Sequence, residues 1–319
     1  PKISFLEIEI EGSINSYKPY LGNYFSLLGN NKTNLFTDIS NYVSYELGQP
    51  THCFDANTIN HQLIFENRNC DESFKTLLGS DIKLKDKNCI FLINNEIISL
   101  AGVMGGASTA CSTNTKKALV ECAYFTPEVI IGKSVKYNLT SDAAHKFERG
   151  VDIQAQEKML RRFIEIVNDH AKIRSIKIQK FEETQAQQNS IPINVKKINK
   201  ILGIDIEEKE YLSYLSKLDF GIEKEIVVPS HRHDISSQND LAEEIARIIG
   251  YNNIESKPVE ISKKTDEGFV NVKRLKNYLI KNGFSEVINF PFTKDKDNES
   301  ISIDNPLDSN RSYLRTSLK

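Results

Sequence analysis

The sequence predicts an α+β chain of more than one domain, and three observations carry that expectation. The 319 residues leave room for two domains, or three if one is small, at about 100–200 residues each. Strand-like apolar runs and helix-like spacings both occur within the first half, so neither an all-helical nor an all-strand core fits. Two polar stretches without apolar periodicity, around residues 181–190 and 257–268, divide the chain into 1–182, 190–257 and 266–319.

Taken in order, apolar spacing over residues 17–28 predicts a short helix, and a second is expected over 41–47, stopped by Gly48 and Pro50. The residues that follow, Gly48-Gln49-Pro50-Thr51-His52-Cys53-Phe54-Asp55, read as a loop. Between Cys89 and Val103 two apolar runs flank Asn94-Asn95, a pair that tolerates positive φ, which is a hairpin signal. The second run leads directly into Gly102-Val103-Met104-Gly105-Gly106. Residues 119–123 read as a buried strand, and residues 152–170 as a long helix with an apolar stripe at Met159, Leu160, Phe163, Ile166 and Val167. Beyond the first polar stretch, helices are expected at 195–202, 207–218 and 241–249, the last closed by Gly250, with a strand at 226–228. The final segment predicts a helix near 270–281 and a strand near 285–290. About fifty residues are too few to close a mixed domain comfortably, and together with Pro1 at the start this suggests a piece of a longer chain.

Composition narrows the function classes. Hydrophobic residues make up 39% and charged residues 26%, with a mean hydropathy of -0.40, which fits a folded globular chain and neither a disordered tail nor a membrane protein. Lys+Arg 41 against Asp+Glu 43 gives a net charge of -2, so no global field attracts polyanions, DNA is not expected as a partner, and any nucleic-acid contact must be local. No apolar run approaches the roughly 18–20 residues of a spanning helix and no signal-peptide order opens the chain, which points to the cytoplasm. Cys53, Cys70, Cys89, Cys111 and Cys122 are odd in number and form no CxxC pair, so free thiols are expected rather than a disulfide framework or zinc site.

Individual candidates are ambiguous. His52 beside Pro50 and Asp55 suits a general base, but a lone loop histidine is more often only hydrogen-bonded. Gly102, Gly105 and Gly106 allow close backbone approach to a ligand and equally a tight turn. Glu121 sits within an apolar strand where an unpaired carboxylate is costly, so it either faces solvent or serves a site. Asp234, Asp240, Glu243 and Glu244 place four hard oxygen donors close together, which suits Mg²⁺. Asp240-x-x-Glu243 is also a helix-capping arrangement, and spacing leaves the two readings even.

The combination is more specific than its members. Gly48-Gln49-Pro50-x-His52-x-Phe54-Asp55, Ala101-Gly102-Val103-Met104-Gly105-Gly106, Glu121-Cys122-Ala123-Tyr124-Phe125 and Ser141-Asp142-Ala143-Ala144-His145-Lys146-Phe147-Glu148-Arg149-Gly150-Val151-Asp152 occur in that order. This resembles the editing domain of the bacterial phenylalanyl-tRNA synthetase β subunit. Val228-Pro229-Ser230-His231-Arg232-His233-Asp234-Ile235, followed by Asp240-Leu241 and Glu243-Glu244-Ile245-Ala246-Arg247-Ile248-Ile249-Gly250-Tyr251, is similar to the small domain after it. Asn305-Pro306-Leu307 with Leu314-Arg315-Thr316-Ser317-Leu318 resembles the opening of the catalytic-like module.

The resemblance implies a mixed-sheet tRNA-editing domain over 1–182, a small α/β, winged-helix-like Mg-binding domain over 190–257, and a truncated class II synthetase-like segment over 266–319. It implies hydrolysis of mischarged Tyr-tRNA(Phe), with aminoacylation left to the α subunit, the partner in a heterotetramer, and tRNA(Phe) as the nucleic-acid partner. His52 then corresponds to the motif histidine, Gly105 to a pocket-lining glycine, Glu121 to the carboxylate that recognises the tyrosine hydroxyl, and Ser141 and Ala143 to the small residues opposite. Asp234, Asp240, Glu243 and Glu244 match the Mg²⁺ ligands shared with the α subunit. The rival expectation is a non-catalytic assembly and RNA-docking scaffold; it has no use for Glu121 facing small residues.

Overall fold

Residues 2–11 alternate polar and apolar side chains along much of their length and form β1 (Lys2–Glu11), for which the sequence reading assigned no element. The structure, a computed structural model, describes residues 1–12, 14, 16–182, 188–256 and 267–317. It divides into two units, Pro1–Glu255 and Ser256–Lys319.

In the first unit α1 (Pro19–Leu28) starts on a proline and ends at Gly29 in the left-handed conformation. The next helix, α2 (Leu35–Leu47), begins well before residue 41 because the Asn34 side chain caps it, accepting from the Thr37 N–H at 3.0 Å. The expected loop at 51–55 is instead β2 (Thr51–Asp55), since it finds a ladder partner far along the chain. There follow β3 (Ile64–Cys70), β4 (Ser73–Lys75), β5 (Asp81–Lys83), β6 (Asp86–Ile93) and β7 (Glu96–Leu100). Asn94 and Asn95 turn the β6–β7 hairpin with φ of 50° and 66°, as their residue types predict. The strands β8 (Met104–Gly105) and β9 (Lys117–Tyr124) lead to α3 (Pro127–Ile130), α4 (Lys133–Lys136), α5 (Asp142–Arg149) and α6 (Gln156–His170). The strand β10 (Lys172–Glu182) runs into the expected linker; the rest of that linker up to 187 lies outside the described residues.

One four-stranded sheet has the order β10-β1-β9-β2 and a second the order β3-β6-β7-β8, both antiparallel throughout, with β4 and β5 as a separate hairpin. The two faces of the first sheet serve different cores. Leu6, Ile8, Cys53, Val120 and Cys122 pack with the stripes of α2 and α6, whose Phe36, Ile39, Phe163 and Ile166 are buried. Ile3, Phe5, Phe54 and Ala123 pack on the other side with Phe91, Leu92 and Leu100 of the second sheet. This strand alternation, with period two, decides which residues can meet across the sheets.

The chain continues through β11 (Ser190–Pro192), α7 (Val195–Leu202), α8 (Glu208–Lys217), β12 (Gly221–Ile222), β13 (Glu225–Val227) and α9 (Gln238–Ile249). A three-stranded sheet in the order β11-β13-β12 and these helices close on their own core, around Ile198, Tyr211, Leu215, Ile226 and Leu241. Gly150, at φ +92°, makes room for this part: a Cβ there would stand 2.8 Å from the His233 ring, whose Nε2 meets the Arg149 carbonyl.

In the second unit α10 (Glu267–Lys281) starts earlier than expected, so Gly268 lies inside the helix; the expected linker from 257 to 266 lies outside the described residues. Residues 285–290 are not a strand. They have no ladder partner among the described residues, and an apolar run without one does not extend a sheet. The short pair β14 (Phe292–Thr293) and β15 (Tyr313–Leu314) is all the sheet described there; Leu318 lies outside the described residues.

Because Phe163 is wholly buried between the α2–α6 helices and the first sheet, Phe163→Ala should destabilise the first unit by about 3–5 kcal/mol. Urea unfolding followed by circular dichroism checks this; a shift no larger than for an exposed α6 position would remove the helix stripe as a source of stability.

Candidate functional site

The strand β9 brings the site together. His52 on β2 lies directly across the ladder from Glu121, and Phe5 on β1 flanks Glu121 on the other side. By alternation both His52 and Glu121 point to the face shared with the second sheet. There the turn from β7 into β8 supplies Gly102, Val103, Met104 and Gly105, and α5 supplies Ala143 and Phe147, to a cavity of about 60 Å³ that also includes His52 and Glu121.

Glu121 is 5% exposed, and burial alone pushes its carboxyl from the ordinary 4.5 up to about 8, so near neutral pH it is largely a protonated acid. Burial likewise pushes the His52 imidazole down to about 4; it is neutral at pH 7, with a buried Nε2 that has no partner among the described residues. The ring stands edge-on to Phe54 at 4.4 Å. Gly105 is required here in the plain steric sense: a Cβ would lie 2.3 Å from His52 Cε1 and 2.9 Å from Leu77 Cδ1. The Gly105 carbonyl accepts from the Leu77 N–H at 2.9 Å, which places the β4–β5 hairpin at the edge of the cavity.

Four of the five expected pocket residues, His52, Gly105, Glu121 and Ala143, line this one cavity. Ser141 does not. It is the N-cap of α5, accepting from the Ala144 N–H at 3.1 Å while its hydroxyl donates to the Val103 carbonyl at 2.5 Å. Its work is to hold the glycine turn against α5. Within that turn the N–H groups of Val103 and Gly106 already donate to Leu100 and Ile98 carbonyls, so they are not spare donors for a developing oxyanion. Phe147, Met104, Thr51 and Ser99 also line the cavity, and sequence reasoning did not single them out; the i,i+4 spacing of Ala143 and Phe147 was the available signal.

The four acids expected to hold Mg²⁺ do not form one cluster: Asp234 and Glu244 meet through Arg232, and Asp240 is engaged elsewhere. Asp240 completes a capping box on α9, its Oδ2 accepting from the backbone and hydroxyl groups of Ser236 and Ser237. Arg232 binds Asp234 through two hydrogen bonds at 2.9 and 2.7 Å and reaches the buried Glu244 at 2.8 Å, while Arg247 holds both Glu244 oxygens. These guanidinium groups keep the Asp234 and Glu244 carboxyls below the usual range. Glu243 is exposed. Among the described residues no group of three or more His, Cys, Asp or Glu could hold a metal ion, so Mg²⁺ does not fit this arrangement: binding it would require Arg232 to release Asp234 and Glu244. All five cysteines are free, and among the described residues no helix is long and apolar enough to cross a membrane.

Comparison with known proteins agrees with this layout. Residues 19–172 match the B3/4 domain, 191–251 the tRNA synthetase B5 domain, and 256–319 the phenylalanyl tRNA synthetase beta chain CLM domain. The last two are aminoacyl-tRNA synthetase domains, and all three occur in this order along the chain. Phenylalanine–tRNA ligase beta subunits of Burkholderia lata, Photorhabdus laumondii and Francisella tularensis are 30%, 31% and 32% identical, over 91%, 88% and 89% of this chain. The chain belongs to the phenylalanyl-tRNA synthetase beta-chain family, and it spans 38% of the length of these relatives. An N-terminal fragment of the phenylalanyl-tRNA synthetase beta-subunit from Pyrococcus horikoshii aligns over 78% of this chain and 70% of its own, at 13% identity and a TM-score of 0.35, too low a likeness to carry any argument.

The two buried titratable groups give a pH test with opposite signs. The folded state holds the Glu121 proton more tightly than the unfolded chain, so this group withdraws stability as pH rises from about 4.5 towards 8. The folded state holds the His52 proton less tightly, so this group withdraws stability as pH falls from about 6.5 towards 4. Thermal melts of Glu121→Gln should therefore lose less stability than the parent between pH 5 and 8, with no change in slope on the acid side; equal slopes above pH 5 would mean Glu121 is solvated or paired.

Proposed function

We propose that this chain carries an editing site that hydrolyses the ester of mischarged Tyr-tRNA(Phe), as a beta-subunit part of a phenylalanine–tRNA ligase whose α subunit performs aminoacylation. The observation that carries the reading is a buried, solvent-poor Glu121 directly opposite His52 in a cavity walled by glycine and alanine. A scaffold gains nothing from burying Glu121 and from leaving the buried His52 Nε2 without a partner among the described residues, because an unsatisfied polar group costs about 1–3 kcal/mol.

The chemistry follows from the protonation states. An aminoacyl ester is already activated, so its hydrolysis needs a positioned water more than a strong nucleophile. Neutral His52 offers its unpartnered Nε2 to such a water or to a ribose hydroxyl of the terminal adenosine. Glu121 serves selection: its carboxyl meets the phenol of tyrosine, while phenylalanine leaves it desolvated and unsatisfied. Ala143 keeps the wall opposite Glu121 small, Gly105 lets the His52 ring pack against the turn, and Ser141 fixes that turn against α5.

The raised Glu121 pKa changes the size expected for selection. A bond between a phenol and a neutral carboxyl contributes about 0.5–1.5 kcal/mol, or roughly 2–13-fold, and grows as the carboxyl ionises above about 8. Glu121→Ala should slow deacylation of Tyr-tRNA(Phe) by that factor at pH 7 while leaving the phenylalanine ester unchanged or faster, and His52→Ala should slow both. Single-turnover deacylation of both esters tests this; equal losses for the two esters in Glu121→Ala would assign Glu121 to folding or to bond breaking and end the selectivity reading.

A further inference from the structure

The loop from β13 to α9 carries Arg232, whose guanidinium lies at the centre of a cluster of charges beside the small core. Its Nε and Nη2 donate to the two oxygens of Asp234 at 2.9 and 2.7 Å, and the same Nη2 donates to Glu244 Oε1 at 2.8 Å. Arg247 Nη2 donates to Glu244 Oε1 and Oε2 at 2.9 and 2.7 Å. Each oxygen of these two carboxylates therefore has a guanidinium donor. The Glu244 side chain is 4% exposed and that of Arg232 20%, so salt screens this pair little.

A single nitrogen 2.7 and 2.8 Å from two different carboxylates stands where a bridging cation would stand. Mg²⁺ takes its oxygens at about 2.0–2.1 Å in an octahedron and keeps several waters, and the planar guanidinium fills the space such a shell needs. The other two acids offer no second pair. Asp240 Oδ2 is taken by the N–H and hydroxyl groups of Ser236 and Ser237, and Glu243 is exposed, about 100° around α9 from its neighbour Glu244.

The same loop has a second contact. His233, between Arg232 and Asp234, sets its Nε2 at the Arg149 carbonyl and its ring against Gly150, where α5 ends. The cation that fixes Arg232's neighbours thus also fixes the contact between the small core and the helix that gives Ala143 and Phe147 to the cavity.

We propose that Arg232 is the resident cation of this cluster: its guanidinium takes the place expected for Mg²⁺, and it holds the loop and the loop's contact with α5 without a divalent metal. The proposal does not depend on the editing reading. A guanidinium stays charged at any pH the fold tolerates and is part of the chain, so the contact is independent of free Mg²⁺.

Thermal melts of the whole chain in EDTA and in millimolar MgCl₂, with Mn²⁺ binding followed by electron paramagnetic resonance, test this. The parent should melt at the same temperature in both solutions and bind no Mn²⁺ that Glu244→Gln removes. Arg232→Ala should melt about 2–10 °C lower in EDTA, regain part of that loss in MgCl₂, and bind Mn²⁺ in competition with Mg²⁺; adding Glu244→Gln should abolish both gains. Arg232→Lys, which keeps the charge and loses the fork, should stay insensitive to metal. A parent that is stabilised by Mg²⁺, or that binds Mn²⁺ in a manner lost with Asp234→Asn or Glu244→Gln, overturns the proposal. So does an Arg232→Ala chain that folds and gains no response to metal, because the vacated place then suits no cation. Should Arg232→Ala fold in neither solution, the parent's Mn²⁺ titration decides: binding at Glu244 overturns the proposal and its absence supports it.

Discussion

The structure depends on the alternation of β9 between two cores. Ala118, Val120 and Cys122 are committed to the helices on one side, so the backbone pleat sends Leu119, Glu121 and Ala123 to the other. With β1 and β2 paired on either side, β9 cannot slip by one residue without driving Val120 and Cys122 into the wrong layer. Glu121 is therefore held in the interior by its neighbours' hydrophobicity, with no hydrogen-bond partner shown among the described residues, and its desolvation follows.

That constraint accounts for the electrostatics of the site. Two ionisable groups side by side ordinarily form a pair, an ionised carboxylate with an imidazolium, but burial favours the neutral form of each and moves their pKa values past one another, Glu121 up to about 8 and His52 down to about 4. Between those values both are uncharged. A pocket of neutral donors and acceptors can discriminate by whether a ligand supplies the missing hydrogen bond, with little electrostatic field to attract other ions. The contrast with α9 is instructive: Glu244 is as buried as Glu121, yet Arg232 and Arg247 keep it charged.

Local signals were read well where the chain makes its own structure. The Asn94-Asn95 turn, the stripe of α6, the helices α7, α8 and α9 and the Gly250 cap were all legible, because they depend on residue type and spacing over a single turn or strand. The reading failed where long-range pairing overrode local appearance. The strand β2 looked like a loop between Pro50 and Asp55 and became a strand only because β9, some seventy residues away in sequence, supplies its ladder. The strand β1 was passed over despite its alternation, and it turns out to pair on both edges. Residues 285–290 have strand-like composition but no ladder partner among the described residues, so composition alone does not make a strand there.

For the site, the sequence by itself determined the residue types and their order: a histidine after Gly48-Gln49-Pro50, a glycine turn, a carboxyl in an apolar strand and small residues at the start of a helix. It also determined the family, since those motifs lie in register along the chain. Only the tertiary structure decided which of them meet. It brought His52, Gly105, Glu121 and Ala143 to one cavity and turned Ser141 away to cap α5. It committed Asp240 to a capping box and bound Asp234 and Glu244 to arginines, where spacing had left capping and metal binding level. The physical reason is that hydrogen-bond partners and desolvation are properties of a place in three dimensions, and a linear sequence specifies the groups without stating what will surround them.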